Sequence, residues 1–123
     1  MNKQAIERLI PKAFDAIKAS GLIKSDKLPD TLNGYIAAFG SSCLQAGVCA
    51  TVLFYSNEES GAKNKDAKTA IPKMIAQIAE GNLGEWKKNP TKANADKQKI
   101  LNAAIALKLA IRSYGKYEES DNG

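Results

Sequence analysis

The sequence predicts an all-α fold, a compact single-domain bundle of about five to six helices spanning residues 1–123. Three observations predict it. Apolar residues recur at i, i+3, i+4 and i+7 in four separate segments. Nothing alternates with period two over a useful length, so no sheet is expected. The chain has 123 residues, 44% hydrophobic and 25% charged, which suits one domain with a sizeable core and leaves little room for two.

Ile6, Leu9, Ile10, Ala13 and Ile17 form the stripe of the first helix, with Phe14 at its edge and Gly21 as a stop. Pro11 must either kink this helix or mark its true start at residue 10 or 11. Leu28-Pro29-Asp30 signals a second start, because proline is tolerated in a first turn and a carboxylate suits the positive end of a helix. Leu32, Tyr35, Ile36 and Phe39 follow at helical spacing, and Leu44, Val48, Thr51 or Val52, and Tyr55 resume the period beyond Gly40 and Gly47. The expectation is a pair of helices near 30–45 and 47–57, broken around Gly47.

Residues 31–57 contain no charged residue, so a membrane span must be weighed against buried core. A span needs about 20 predominantly apolar residues. This segment carries Thr31, Asn33, Ser41, Ser42, Gln45, Thr51, Ser56 and Asn57, whose polar groups are costly in hydrocarbon. Core is the better reading.

Residues 57–68 read as a mobile polar loop. With Thr69 as N-cap, Pro72 falls in the first turn of a helix whose stripe is Ile71, Met74, Ile75 and Ile78, ended by Gly81. GNLGEWKKNP is a connector, in which Trp86 either anchors a loop to the core or stacks on a base. The last helix runs from Thr91 or Asn94 to Gly115 on Ile100, Ala104, Leu107, Ile111 and Tyr114, widened by Leu101 and Ile105. Residues 117–123 make a frayed acidic tail.

The chain has no histidine, which removes the commonest general acid–base, the commonest zinc ligand and the Ser–His and Cys–His nucleophile pairs. Asp66, Glu80, Glu85 and Asp96 are scattered among lysines without forming pairs. No catalytic residue, metal site, cofactor or small-molecule substrate is therefore expected. Cys43 and Cys49 read as reduced thiols serving as small hydrophobes. No signal-peptide pattern opens the sequence, and a cytoplasmic location is expected.

Charge is unevenly distributed. Residues 60–116 hold 12 basic and 4 acidic side chains, in a chain whose net charge is +5. On one continuous helix Lys108, Arg112 and Lys116 would stand at i, i+4 and i+8, a self-repelling stripe that a polyanion would relieve. Lys63, Lys65 and Lys68 in the loop, and Lys87, Lys88 and Lys92 in the connector, are further phosphate candidates. The alternative is an ordinary solvated face. No zinc finger, aromatic RNP motif or helix-turn-helix is present, so any nucleic-acid binding would be to backbone and shape.

With these helices laid out, the chain resembles a family. RLIPKAFDAIKASG, a Leu-Pro helix leading through GSSCLQAGVCATVLFYSN, and KILNAAIALKLAIRSYGKYE follow the order of the small all-helical subunit of the Cmr-type (type III-B) CRISPR effector, which targets RNA. Gln45-Ala46-Gly47-Val48 holds the place of the family's central turn, and Leu53-Phe54-Tyr55-Ser56 that of its Phe-x-x-Ser/Lys-like end. The resemblance implies a non-catalytic antiviral-defence subunit. Such subunits stack on copies of themselves and on other Cmr subunits, and line a basic channel along the guide RNA–target RNA duplex. Carried over by position, Lys108 and Arg112 would contact phosphate, with Lys18 and Lys24 beside the end of the first helix. The competing expectation is a helical protein–protein scaffold that touches no nucleic acid.

Overall fold

A computed structural model describes residues 3–57 and 65–118. The element order is α1 (Lys3–Ser20), β1 (Lys27–Pro29), α2 (Asp30–Ala46), α3 (Val48–Ser56), α4 (Lys65–Ala79), α5 (Leu83–Lys88), α6 (Pro90–Ala95), α7 (Lys97–Arg112) and β2 (Gly115–Tyr117). The all-α expectation holds. Helices α1, α2, α4 and α7 pack around one apolar core, and α3 joins it with α5 and α6 against its flank. No described helix is long and apolar enough to cross a membrane.

Helix α1 passes through Pro11 without a break. Pro11 cannot donate to the carbonyl of Glu7, but both residues are exposed, so that carbonyl is not left in the apolar core without a donor. The α2–α3 elbow falls at Gly47, whose φ of +95° and ψ of 159° suit glycine almost alone. Thr51 locks the elbow: its hydroxyl donates to the Gly47 carbonyl at 2.8 Å and lies 2.9 Å from the Ser42 hydroxyl. Tyr55 then closes α3 on α2, donating to the Tyr35 carbonyl at 2.7 Å while its ring meets Phe39 edge-on at 5.2 Å.

Helix α4 corrects the expected start. It begins at Lys65, so Thr69 is an interior residue rather than an N-cap, its hydroxyl donating back to the Lys65 carbonyl at 3.0 Å. Pro72 stands in the third turn, buried. The early start follows from packing: Ala67 and Lys68 are both fully buried. The Lys68 ammonium donates to the Asn57 carbonyl at 2.8 Å and sits 4.8 Å from the centre of the Phe54 ring. That lysine, read as a loop cation, instead fixes the end of α3 to α4. Of the expected loop over 57–68, residues 58–64 lie outside the described residues.

The end of α4 shows a second departure. Glu80, not Gly81, takes the left-handed position, at φ +55°. The Glu80 amide donates to Gln77 and the Gly81 amide to Ala76, the paired bonds of a Schellman cap. Gly81 is held for another reason: an added Cβ would collide with the Trp86 ring. The connector is two short helices, capped by Asn82 and Asn89, whose side chains accept from the amides of Glu85 and Lys92. The expected last helix is divided at Asp96 into α6 and α7, and α7 stops at Arg112.

A small sheet is present where none was expected. β1 and β2 pair in parallel, Lys27 with Gly115, Leu28 with Lys116 and Pro29 with Tyr117. Three-residue strands are too short to show an alternating pattern, and the partner lies almost ninety residues away in sequence. Of the expected tail over 117–123, Tyr117 belongs to this ribbon and residues 119–123 lie outside the described residues.

The two residues at the α4 cap should respond oppositely to substitution. Glu80→Gly relieves a left-handed backbone and should raise the melting temperature. Gly81→Ala should destabilise by about 1–3 kcal/mol and red-shift the tryptophan emission as the indole is pushed from its site.

Candidate nucleic-acid interface

Three chain ends meet around the ribbon. β1 leads directly into the start of α2, β2 follows the end of α7, and the Tyr117 hydroxyl donates to the carbonyl of Leu22, just beyond α1, at 2.9 Å. The turn before β1 is tight. Lys24 and Lys27 exchange backbone hydrogen bonds of 2.9 and 3.0 Å, and Ser25 and Asp26 between them both have positive φ. That is the arrangement of a type I′ hairpin turn, built without its usual glycine. It sets Lys24 and Lys27 side by side.

The Lys24 ammonium lies 5.2 Å from the centre of the Tyr117 ring. The stem of Lys27 runs over Gly115, where an added Cβ would come within 3.2 Å of its Cγ. Lys116 follows on β2, exposed, and Arg112 is the exposed last residue of α7. Lys18 is exposed in the last turn of α1. Asp26, Asp30 and Glu118 are the acids of the neighbouring segments. Among the described residues the ion pairs are Lys12–Glu80 and Lys92–Asp96, so none of the ribbon lysines is spent on a carboxylate.

The structure thus gathers Lys24, Lys116, Arg112 and Lys18 at one end of the bundle, though not as the expected helical stripe, because Lys116 has left the helix. Lys27 was missed. Its signal was Lys24-Ser25-Asp26-Lys27, a polar turn flanked by lysines. Lys108 is half-buried in a groove between α2 and α7. Lys65 is exposed at the start of α4, and Lys63 lies outside the described residues. Lys87 and Lys88 belong to α5, whose main neighbours are α3, α4 and α6 rather than the ribbon. The carbonyl of Lys87 accepts from Cys49 Sγ at 3.5 Å.

Trp86 cannot stack on a base. Its ring is fully buried, and its indole N–H donates to the Asp96 carboxylate at 2.9 Å. That hydrogen bond, with Lys92 and Lys99 nearby, holds the Asp96 carboxyl below its usual range against the opposing effect of burial. The hydrogen bond from Lys12, together with its charge, lowers Glu80. Burial pushes the Cys43 thiol up to about 11 and the Tyr55 phenol up to about 12. Both cysteines are free thiols, Cys43 buried and Cys49 partly so. Among the described residues no three cysteine or carboxylate side chains gather as metal ligands would.

No protein-family model, no curated protein and no solved structure matches this chain.

These shifts set the pH limits of stability. Asp96 is lowered, so its contribution is present above the ordinary carboxylate range and is lost as pH falls through its folded value. Trp86→Phe should therefore move the acid limb of unfolding to higher pH. Cys43 is raised from an ordinary 9.0, so stability should be full below pH 9 and decline toward 11 as the unfolded thiol ionises first. In Cys43→Ala the first part of that alkaline decline should be missing from a series of melting curves.

Proposed function

We propose that this chain is a non-catalytic RNA-binding subunit that grips the phosphate backbone at its β1–β2 end. The observation that carries the reading is the pair Lys24 and Lys27, set side by side by the turn before β1 and lying over Tyr117 and Gly115 of β2. Exposed Lys116 stands on the other face of the ribbon and Arg112 at the end of α7, and none of the four is in an ion pair among the described residues. The ribbon fixes the backbone positions from which these side chains extend more firmly than a frayed helix end would. Backbone phosphates suit such groups, because each contact releases condensed counterions and requires no base to be read. Tyr117, under Lys24, adds an apolar platform beside the charge.

The resemblance to the small subunit of the Cmr-type CRISPR effector gives this binding a setting. In that setting the subunit lies along a guide RNA–target RNA duplex, next to copies of itself and to other subunits, and leaves chemistry to them. The absence of histidine from the sequence supports a role without acid–base catalysis. The scaffold reading draws on one observation, the uncharged and partly exposed surface of α2 and α3, where Leu44, Leu53 and Phe54 face outward.

A salt titration of RNA binding separates the two. Fluorescence anisotropy with a labelled single strand and a labelled duplex should show log K falling steeply with log salt. Replacing Lys24, Lys27 and Lys116 together by alanine should reduce the magnitude of that slope by roughly 2, at about 0.7–0.9 per phosphate contact. Asp26→Asn keeps a residue tolerant of the left-handed turn and removes a negative charge, so it should tighten binding. Dissociation constants weaker than about 100 μM at low salt would favour the scaffold. An unchanged slope in the triple variant would move the contact off the ribbon.

A further inference from the structure

The seam between α2 and α7 carries a feature that phosphate binding does not use. An open groove of about 360 Å³ runs along it, walled by Ile36, Gly40 and Leu44 on one side and by Leu101, Ile105 and Lys108 on the other. Because α2 starts at the ribbon and α7 ends beside it, the two packed helices run antiparallel. Ile36 and Lys108 therefore mark the ribbon end of the groove, and Leu44 the far end.

Three properties define what fits. Among the described residues Lys108 is the sole charged one lining the groove, and it makes no ion pair with another of them. Leu44 is 66% exposed, an apolar side chain left without cover at the far end. Gly40 lies in mid-helix without a left-handed backbone, and nothing stands within 4 Å of where a Cβ would be. Neither a turn nor internal packing requires that glycine, and it weakens the helix relative to alanine. What a bare backbone at Gly40 permits is close approach from outside.

We propose that this groove receives an amphipathic helix of a different protein, its apolar ridge laid on Gly40 and Leu44 and a carboxylate at the end that meets Lys108. The walls from Ile36 to Leu44 span eight residues, about 12 Å, or two turns of a guest helix. A third helix over an antiparallel pair is the usual helix-in-groove geometry, read through positions i, i+3 or i+4, and i+7. A second copy of this chain is a poor guest. Its exposed large apolar residues are Leu44, Leu53, Phe54 and Leu109, and no described helix presents them at that spacing beside an acid.

The test uses the full chain, isotope-labelled for amide spectra, and two synthetic helical peptides. Both carry leucines along one ridge; one ends in glutamates and the other in lysines at the same positions. The acidic peptide should shift the amides of Gly40, Ser41, Leu44 and Ile105, and bind about two- to fivefold tighter than the basic one. Lys108→Ala should abolish that difference. Gly40→Ala should raise the melting temperature of the free chain yet weaken both peptides about fivefold or more, a combination that a merely structural glycine would not give. The proposal is overturned by equal binding of the two peptides, by the absence of saturable shifts, or by shifts confined to Leu53 and Phe54. Concentration-dependent self-association that Gly40→Ala abolishes would also overturn it, by making the groove an interface between copies.

Discussion

The indole of Trp86 holds the second half of the molecule together. It packs so closely on Gly81 that no other residue fits there, and its N–H reaches Asp96, the residue at which α6 ends and α7 begins. One side chain therefore joins the end of α4, the short helix α5 and the start of the long helix α7. Each of its two partners accepts a local restriction for the sake of that contact. Gly81 gives up its side chain, and Asp96 is a buried carboxylate that would be costly without a hydrogen-bond donor. Because α7 packs on α1, α2 and α4, its register is passed to the rest of the core.

The α2–α3 elbow imposes a comparable order on the uncharged segment. Gly47 reverses the chain, Thr51 and Ser42 satisfy one another, and Tyr55 returns to the Tyr35 carbonyl. The segment's lack of charge has two causes. One face is the core, through Leu32, Ile36, Phe39, Val48 and Val52, where a charge would be expensive. The other face is exposed and equally uncharged, with Leu44, Leu53 and Phe54 outward, and the core does not account for it.

The lysines separate into classes that composition alone could not distinguish. Lys68 is a core component, anchored on a carbonyl and an aromatic face. Lys12 and Lys92 meet carboxylates. Lys24 and Lys27 are paired by the turn before β1 and Lys116 stands on β2, all exposed at one end of the bundle, while Lys108 stands apart in an apolar groove. A residue type that reads as uniform surface in the sequence thus takes at least four structural roles.

Periodicity by itself determined the helical class, the stripes of α1, α4 and α7, and the elbow at Gly47, because each is encoded within about a dozen consecutive residues. It also separated core from membrane span, since polar side chains at known positions carry a known cost in hydrocarbon. Only the tertiary structure decided the start of α4, where burial of Ala67 and Lys68 outweighs the cap and proline signals at Thr69 and Pro72. It alone decided that Trp86 is an anchor, that Glu80 rather than Gly81 takes the left-handed cap, and that Lys27 faces Gly115 across a ribbon. Each of these depends on contacts between residues far apart in the chain, and a local pattern carries no record of which distant surface will cover it.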